Sequence, residues 1–136
     1  MSAAETGHLI FSTLHTNNAA QTIDRIIDTF PPAQQGQIRA QLSSTLIGIV
    51  SQRLIPRIGG GLIPAIEVMI SNSAIRNLIR ENKIQEIDLV IGTSFEQGMV
   101  SLNRSLVNLV RRGEIDMDNA VAYSLNSEEL QALLKG

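Results

Sequence analysis

Two histidines are the first candidates for chemistry, because an imidazole can bind a metal or move a proton. His8 and His15 are the only histidines in the sequence. They lie an odd number of positions apart, so a regular strand would point their side chains to opposite faces. At about 3.3 Å per residue they would be about 23 Å apart. A metal site shared by both is therefore not expected.

His15 has the stronger case for a functional role. It ends an apolar segment beside Thr13 and Thr16, and the ligands of open α/β sheets gather at the carboxyl ends of strands. The competing interpretation treats each histidine as a hydrogen-bonded polar group at the end of a strand.

Glu67 is a carboxylate within an otherwise apolar stretch, Ile66–Ile70. Burial without a partner would raise its pKa and make it a candidate general base. We favour a plainer interpretation, a half-exposed strand face or an ion pair with Arg53 or Arg57, because no second carboxylate or cluster of metal ligands accompanies it in the sequence.

A phosphate-binding loop is absent from these 136 residues. Such a loop wraps phosphates with glycines and ends in Lys-Ser or Lys-Thr before a helix. The run Gly59–Gly61 is followed by apolar, strand-like residues instead. The glycines therefore predict a hairpin turn.

Arg76 and Arg80 lie one helical turn apart beside Glu81. Such a pair is ordinarily a solvated helix face. A large exposed apolar stripe opposite the arginines would make the segment a docking helix instead, and spacing alone does not decide between these.

Composition excludes several classes of function. The net charge of -2 and the pI of about 5.6 leave no basic footprint for nucleic acid or a membrane surface. The absence of cysteine excludes disulfides and thiolate zinc sites. A hydrophobic fraction of 43% predicts a packed core in one domain. No apolar run reaches the roughly 18 to 20 residues of a membrane span, and no signal peptide is recognisable, so we expect a cytoplasmic protein.

The elements that position these residues follow from periodicity. The apolar segment Gly7–Thr16 predicts a largely buried strand, and the lack of a preceding neighbour for it indicates truncation. A helix is expected from about residue 18 to Phe30, with an apolar stripe at Ile23, Ile26, Ile27 and Phe30. Pro31–Pro32 ends it, and a second helix should follow with Ile38, Leu42 and Leu46 inward.

Two strands and then only helices are expected in the rest of the chain. Ile49–Arg57 and Leu62–Ile70 predict the strands of the hairpin. From Ser73 onwards the apolar spacing is helical, with Gly113 predicted as a C-cap and Ser127 as the N-cap of the last helix.

Several long stretches resemble the secretion and pilus motor ATPases. Ala3–Thr16 resembles the histidine box of that family, and Ala20–Pro32 and Val50–Leu54 also resemble it. Ala74–Glu81, which reads AIRNLIRE, resembles the signature of the retraction branch, the PilT proteins. Assembly and secretion relatives usually carry a tetracysteine insert after the Gln-Arg-Leu stretch, and its absence here favours the retraction branch.

The resemblance implies a fold and a set of residue roles. The fold would be α/β: residues 1–71 the distal half of a RecA-like P-loop NTPase core with the histidine box and hairpin, and residues 72–136 an all-helical carboxy-terminal region. His15 first, and His8 second, would sense the γ-phosphate as catalytic residues. Thr13, Thr16 and Arg53 would bind nucleotide. The residues implied in retraction are Ala74, Ile75, Arg76, Asn77, Leu78, Ile79, Arg80 and Glu81.

The resemblance also implies partners and cofactors. Members form homohexameric rings at the cytoplasmic face of the inner membrane, beside the pilus platform protein, and use ATP with Mg²⁺ rather than nucleic acid. Their PAS-like domain, phosphate loop, aspartate box and catalytic glutamate precede the histidine box, and none is in this sequence. We therefore expect this chain alone to be inactive, to bind neither ATP nor Mg²⁺ tightly, and to self-associate through an exposed strand edge. Alternatives are a non-enzymatic interaction module and an accessory retraction ATPase.

Overall fold

The fold is described by a computed structural model for residues 2–14 and 16–136. Its helices and strands are α1 (Ser2–Glu5), α2 (Ala19–Asp28), α3 (Pro32–Thr45), β1 (Gly48–Pro56), β2 (Leu62–Ile70), α4 (Ser73–Arg80), α5 (Ile87–Thr93), α6 (Leu102–Arg111), α7 (Met117–Tyr123) and α8 (Ser127–Lys135). Short 3-10 turns occupy Ile84–Glu86 and Phe95–Gln97. The described residues are thus mostly helical with one two-stranded sheet, and the predicted mixed α/β class is confirmed.

The hairpin formed by β1 and β2 is antiparallel, with Gly48 opposite Ile70 and Pro56 opposite Leu62. Its turn contains Gly60 at φ +114°, a conformation that glycine adopts at little cost and other residues rarely adopt. Side chains alternate along the strands, so that every second residue faces the helices. The predicted hairpin and its glycine turn are confirmed.

The helix after the histidine box begins with a capped turn. The side chain of Asn18 accepts a hydrogen bond from the backbone N–H of Gln21, which satisfies one of the free donors at the start of α2. Pro32 is the first residue of α3, where its missing N–H costs nothing. Both helices lie where the sequence predicted them.

The last helix is capped one residue earlier than predicted. The side chain of Asn126, not Ser127, accepts from the backbone N–H of Glu129. Asn126 is extended at φ -147° while Ser127 is already helical, and only the residue before the helix can turn its side chain back onto the third helical N–H.

Two hydrophobic clusters hold the molecule together, and the hairpin contributes to both. The first packs α2, α3, α4 and α5 with the open end of the hairpin and consists of Ala19, Ile23, Ile27, Ile38, Leu42, Met69, Ile75, Ile79, Ile84, Ile87, Ile91 and Met99. The second packs α6, α7 and α8 with the turn end and consists of Ile55, Ala65, Leu102, Leu106, Val107, Leu109, Ile115, Ala120 and Leu130. A domain boundary between residues 71 and 72 stays a prediction.

The predicted strand at Gly7–Thr16 is wrong for the described part of that range. Residues 8–14 have no regular secondary structure, and their apolar side chains are exposed, including Phe11 at 88% and Leu9 at 68%. A strand forms only when its N–H and C=O groups pair with a neighbour, and β1 and β2 are the only strands among the described residues.

No helix in the described ranges has both the length and the apolar character needed to cross a bilayer.

Candidate functional site

The histidine segment, defined here as residues 8–14, lies at the surface. His8 is exposed, and its Nδ1 lies 3.0 Å from the hydroxyl of Thr6. Thr13 is exposed as well. His15 lies outside the described residues. The predicted roles of His8, Thr13 and His15 in nucleotide sensing stay predictions.

Thr16 connects the histidine segment to the first helix that follows it. Its hydroxyl lies 2.6 Å from the hydroxyl of Thr22. Thr22 in turn donates to the carbonyl oxygen of Asn18 at 2.9 Å. The carboxyl end of the histidine box is therefore fixed to the first turn of α2, although residues 8–14 are exposed.

Arg53 lies on β1 and contacts α7. Its Nη1 donates to the carbonyl oxygen of Tyr123 at 3.3 Å, and its guanidinium lies 5.2 Å from the centre of the Tyr123 ring. These contacts of Arg53 are to the second hydrophobic cluster and not to the histidine segment. Its predicted role in nucleotide binding stays a prediction.

Glu67 is buried on β2, with only 5% of its surface exposed. Its Oε1 accepts from the backbone N–H of Ala19 at 2.8 Å, and its Oε2 accepts from the backbone N–H of Leu102 at 3.3 Å. The favoured interpretation, a half-exposed residue or an ion pair across the hairpin, is therefore wrong. Arg57 pairs instead with Glu114, at 2.6 Å between Nε and Oε2.

A cleft of about 190 Å³ opens beside Glu67. Asp88 of α5 and Glu129 of α8 also line it, and both are more exposed than Glu67. The remaining lining is polar or apolar but uncharged: Asn18, Ser101, Leu102, Asn103, Leu125 and Asn126. The expectation that no second carboxylate accompanies Glu67 is thus wrong in three dimensions, because two acidic residues distant in sequence lie near it.

The surroundings of the cleft raise the pKa values of two of its carboxylates. Burial raises the pKa of Glu67; the hydrogen bonds from Ala19 and Leu102 oppose this, and the negative charges of Asp88 and Glu129 add to it. Burial and the charge of Glu129 also raise the pKa of Asp88. Among the described residues no group of three or more His, Cys, Asp or Glu side chains is placed to hold a metal ion.

Helix α4 and the residue after it carry the AIRNLIRE sequence. Ile75 and Ile79 are completely buried in the first cluster. Arg76 and Arg80 are exposed on a different face of the helix, and Arg80 donates to the side chain of Asn77 at 3.0 Å. The solvated-face interpretation is confirmed, and the alternative of an exposed apolar stripe is wrong, because that stripe is in the core.

Comparison with protein families identifies the chain. Residues 1–86 match the family described as type II/IV secretion system protein. The chain belongs to the type II/IV secretion system protein family. The matched residues include the histidine segment, the hairpin and α4, which are the elements described above.

Two curated proteins, one of them a PilT, are similar over most of this chain. The type IV pilus retraction ATPase PilT of Pseudomonas aeruginosa is 48% identical over 120 residues, which are 88% of this chain and 35% of that protein. The twitching motility protein of Neisseria gonorrhoeae is 45% identical over 131 residues, which are 96% of this chain and 35% of that protein. The chain thus spans about a third of the length of these two relatives.

The fold is similar to part of a solved PilT structure. The crystal structure of the pilus retraction motor PilT with bound ADP superimposes with a TM-score of 0.84 at 48% identity, over 96% of this chain and 36% of that one. The recognition of a PilT-type motor ATPase from the sequence is confirmed.

Sequence reasoning missed the partners of Glu67 in this PilT-family chain, although one signal was present. Glu67 lies between Ala65 and Met69 at alternate positions of β2, and both of these are buried. Strand alternation therefore placed Glu67 on the inward face. Its partners, Ala19 and Leu102, are too distant in sequence for any local pattern to indicate them.

Proposed function

We propose that this chain is part of a hexameric ATPase motor that powers type IV pilus retraction, and thereby twitching motility. The observation that carries the proposal is the similarity of nearly the whole chain, in sequence and in fold, to a pilus retraction motor. The motor would act at the cytoplasmic face of the inner membrane, on the pilus platform protein and with identical neighbouring subunits.

Nucleotide would contact this chain at the histidine box. His15 first and His8 second sense the γ-phosphate, with Thr13, Thr16 and Arg53 contributing to binding. The exposure of His8 and Thr13 supports a surface that another part of a motor, or a nucleotide, covers.

ATP hydrolysis needs groups that these residues do not provide. In P-loop motors a Ser or Thr of the phosphate loop holds Mg²⁺ and the loop backbone holds the phosphates. This sequence has no such loop, and its described residues include no cluster that fits a metal ion. The chain alone therefore does not hydrolyse ATP. Release of phosphate from ATP by the chain alone would refute this statement, and tight binding of labelled ATP in a titration would refute the expectation that the chain alone does not bind ATP tightly.

The charged face of α4 is the part that acts in retraction. Because Ile75 and Ile79 are in the core, only the exposed faces of the helix, which include Arg76 and Arg80, are presented to a partner. Arginine suits such a role, since it forms strong paired contacts with carboxylates.

A chimaera tests the proposed function. The matching segment of PilT from Pseudomonas aeruginosa is replaced by this chain, and twitching zones are measured in a strain that lacks its own gene. The chimaera is expected to restore twitching. Loss of twitching by a chimaera that still forms hexamers and hydrolyses ATP would contradict a role in retraction.

Paired substitutions then test the α4 face within the chimaera. Arg76→Ala with Arg80→Ala is expected to abolish twitching while ATP hydrolysis continues. The matched control is Arg112→Ala with Lys135→Ala, which also removes two exposed positive charges, outside the motif. Equal loss of twitching in both double variants would show that general charge, and not α4, matters.

A non-enzymatic interaction module is the second candidate, and the missing phosphate loop together with the exposed charged face of α4 favours it. Pull-down of the platform protein by this chain alone, combined with the chimaera experiment, separates the two. Binding that depends on Arg76 and Arg80, together with a chimaera that does not restore twitching, favours the module, whereas a chimaera that restores twitching favours the motor part.

A further inference from the structure

Glu67 accepts a hydrogen bond from the N–H of the first residue in each of two helices. The first N–H groups of a helix lack partners within it and carry a partial positive charge. Ala19 and Leu102 are the first residues of α2 and α6, and their N–H groups both donate to the carboxylate of Glu67. One buried carboxylate thus satisfies a free donor at each helix start.

The cap residues of the two helices serve a different position. Asn18 accepts from the N–H of Gln21 at 2.8 Å, and Ser101 accepts from the N–H of Arg104 at 3.1 Å. In both helices the third N–H is therefore bound locally, whereas the first depends on Glu67. The start of each helix is fixed to β2 by Glu67 and not by its own cap.

The joint extends to the histidine box. Thr16 is bound to Thr22 on α2, and the N–H of Asn17 donates to the side chain of Gln21 at 3.1 Å. The position of residues 16 and 17 therefore depends on the position of the first turn of α2, which is bound to Glu67.

We propose that Glu67 is a positioning residue that fixes the carboxyl end of the histidine box relative to α6, by joining the starts of α2 and α6 through one buried carboxylate. The inference rests on the proposed function only for what the histidine box contacts; the joint itself requires no nucleotide. Glu67 touches no reacting atoms and acts through the backbone of α2.

Protonation weakens this joint. An ionised carboxylate accepts at both oxygens, whereas a protonated one carries a donor on one oxygen and can serve only one of the two N–H groups well. The charged groups that act on Glu67 are Asp88 from α5 and Glu129 from α8. The lining residues at the starts of α2 and α6 are uncharged: Asn18, Ser101, Leu102 and Asn103.

Backbone amide NMR of the whole chain tests the joint as a function of pH. The amide signals of Ala19 and Leu102 are expected to titrate together with one shared midpoint. Glu67→Gln should remove this titration from both amides, and the control Glu128→Gln, an exposed neighbour on α8, should keep it. Different midpoints for the two amides, or a titration that persists in Glu67→Gln, would overturn the proposal.

Hydrogen exchange gives the positional readout. In Glu67→Gln, which keeps one good acceptor, exchange at one or both of Ala19 and Leu102 should accelerate about tenfold, as expected when a buried hydrogen bond is lost. Exchange at Gln21 and Arg104, which their own caps protect, should change much less. Equal acceleration at all four amides would indicate general loosening and would count against a specific joint.

A second variant keeps the test informative if Glu67→Gln does not fold. Asp88→Asn leaves Glu67 in place and removes one of the charges that raise its pKa. The shared midpoint of Ala19 and Leu102 should then fall by the same amount at both amides, and unequal shifts would contradict a common carboxylate. The titration also separates the two proposals: a chimaera without twitching but with an intact shared titration rejects the motor function and leaves the joint.

Discussion

The hairpin and the histidine segment have similar amino-acid compositions and different structures. Both are rich in β-branched and large apolar residues. The hairpin pairs its two strands along nine positions each and packs Ile55 and Met69 into the two clusters, where each is at most 1% exposed. The histidine segment has no strand beside it among the described residues, and Phe11 is 88% exposed.

The difference shows that a segment with high β propensity forms a strand only where a neighbouring strand can pair with it. β1 finds its partner across a short glycine turn, so the cost of closing the loop is small. The histidine segment would need a partner from elsewhere. Its exposed apolar side chains form a patch of the kind that is typical of a surface buried in a larger assembly.

The largest expected effect compares one side chain from each region. Ile55→Ala leaves a cavity beneath the hairpin and should lower the free energy of unfolding by about 2–5 kcal/mol. Phe11→Ala removes an exposed side chain and should change it by less than about 0.5 kcal/mol. Urea denaturation measures both. A loss from Phe11→Ala comparable with that from Ile55→Ala would mean that the histidine segment is packed in solution.

A smaller effect tests the turn that gives the hairpin its advantage. Gly60→Ala places a β-carbon on a residue at φ +114° and should cost about 1–2 kcal/mol through backbone strain alone, since nothing lies within 4 Å of the added atom. Gly36→Ala, in the middle of α3 with equally open surroundings, should instead stabilise by about 0.5–1 kcal/mol. Thermal unfolding of both variants checks whether these changes in stability have opposite signs. A Gly60→Ala variant as stable as the parent would contradict the explanation that the glycine turn stabilises the hairpin.

The sequence predicted the local features well and the long-range ones poorly. The stripe of Ile23 and Ile27 and the glycines of the turn each act within a few residues, and periodicity and backbone conformation were enough to place them. The prediction of a strand in the histidine segment was wrong because a strand requires a neighbouring strand, which periodicity does not reveal. The interpretation of Glu67 was wrong because its two partners lie 48 residues before it and 35 residues after it in the sequence.

The smallest expected effect concerns the rim of the cleft. Burial and Glu129 raise the pKa of Asp88 above its usual 3.8, so the folded state binds this proton more tightly than the unfolded state does. The associated stability is present below pH 3.8 and is lost as the pH rises through the raised pKa. Asp88→Asn should therefore raise the Tm at pH 7 and lose this advantage in acid.

Melting curves across the pH range, with Glu96→Gln as the control outside the cleft, measure this dependence. The control should show no comparable gain at pH 7. An Asp88→Asn variant that is less stable than the parent at pH 7 would contradict the unfavourable charge environment around Glu67.

Hydrogen exchange of the histidine segment, measured in two settings, tests the central claim most directly. In this chain alone the amides of residues 9–14 should exchange at nearly unprotected rates while those of β1 and β2 are protected. In the chimaeric PilT hexamer with nucleotide, the same amides should become protected, because the segment then has its partners. Protection already present in the isolated chain, or none in the hexamer, would contradict the claim that this segment is exposed in the chain alone and becomes buried when the hexamer binds nucleotide.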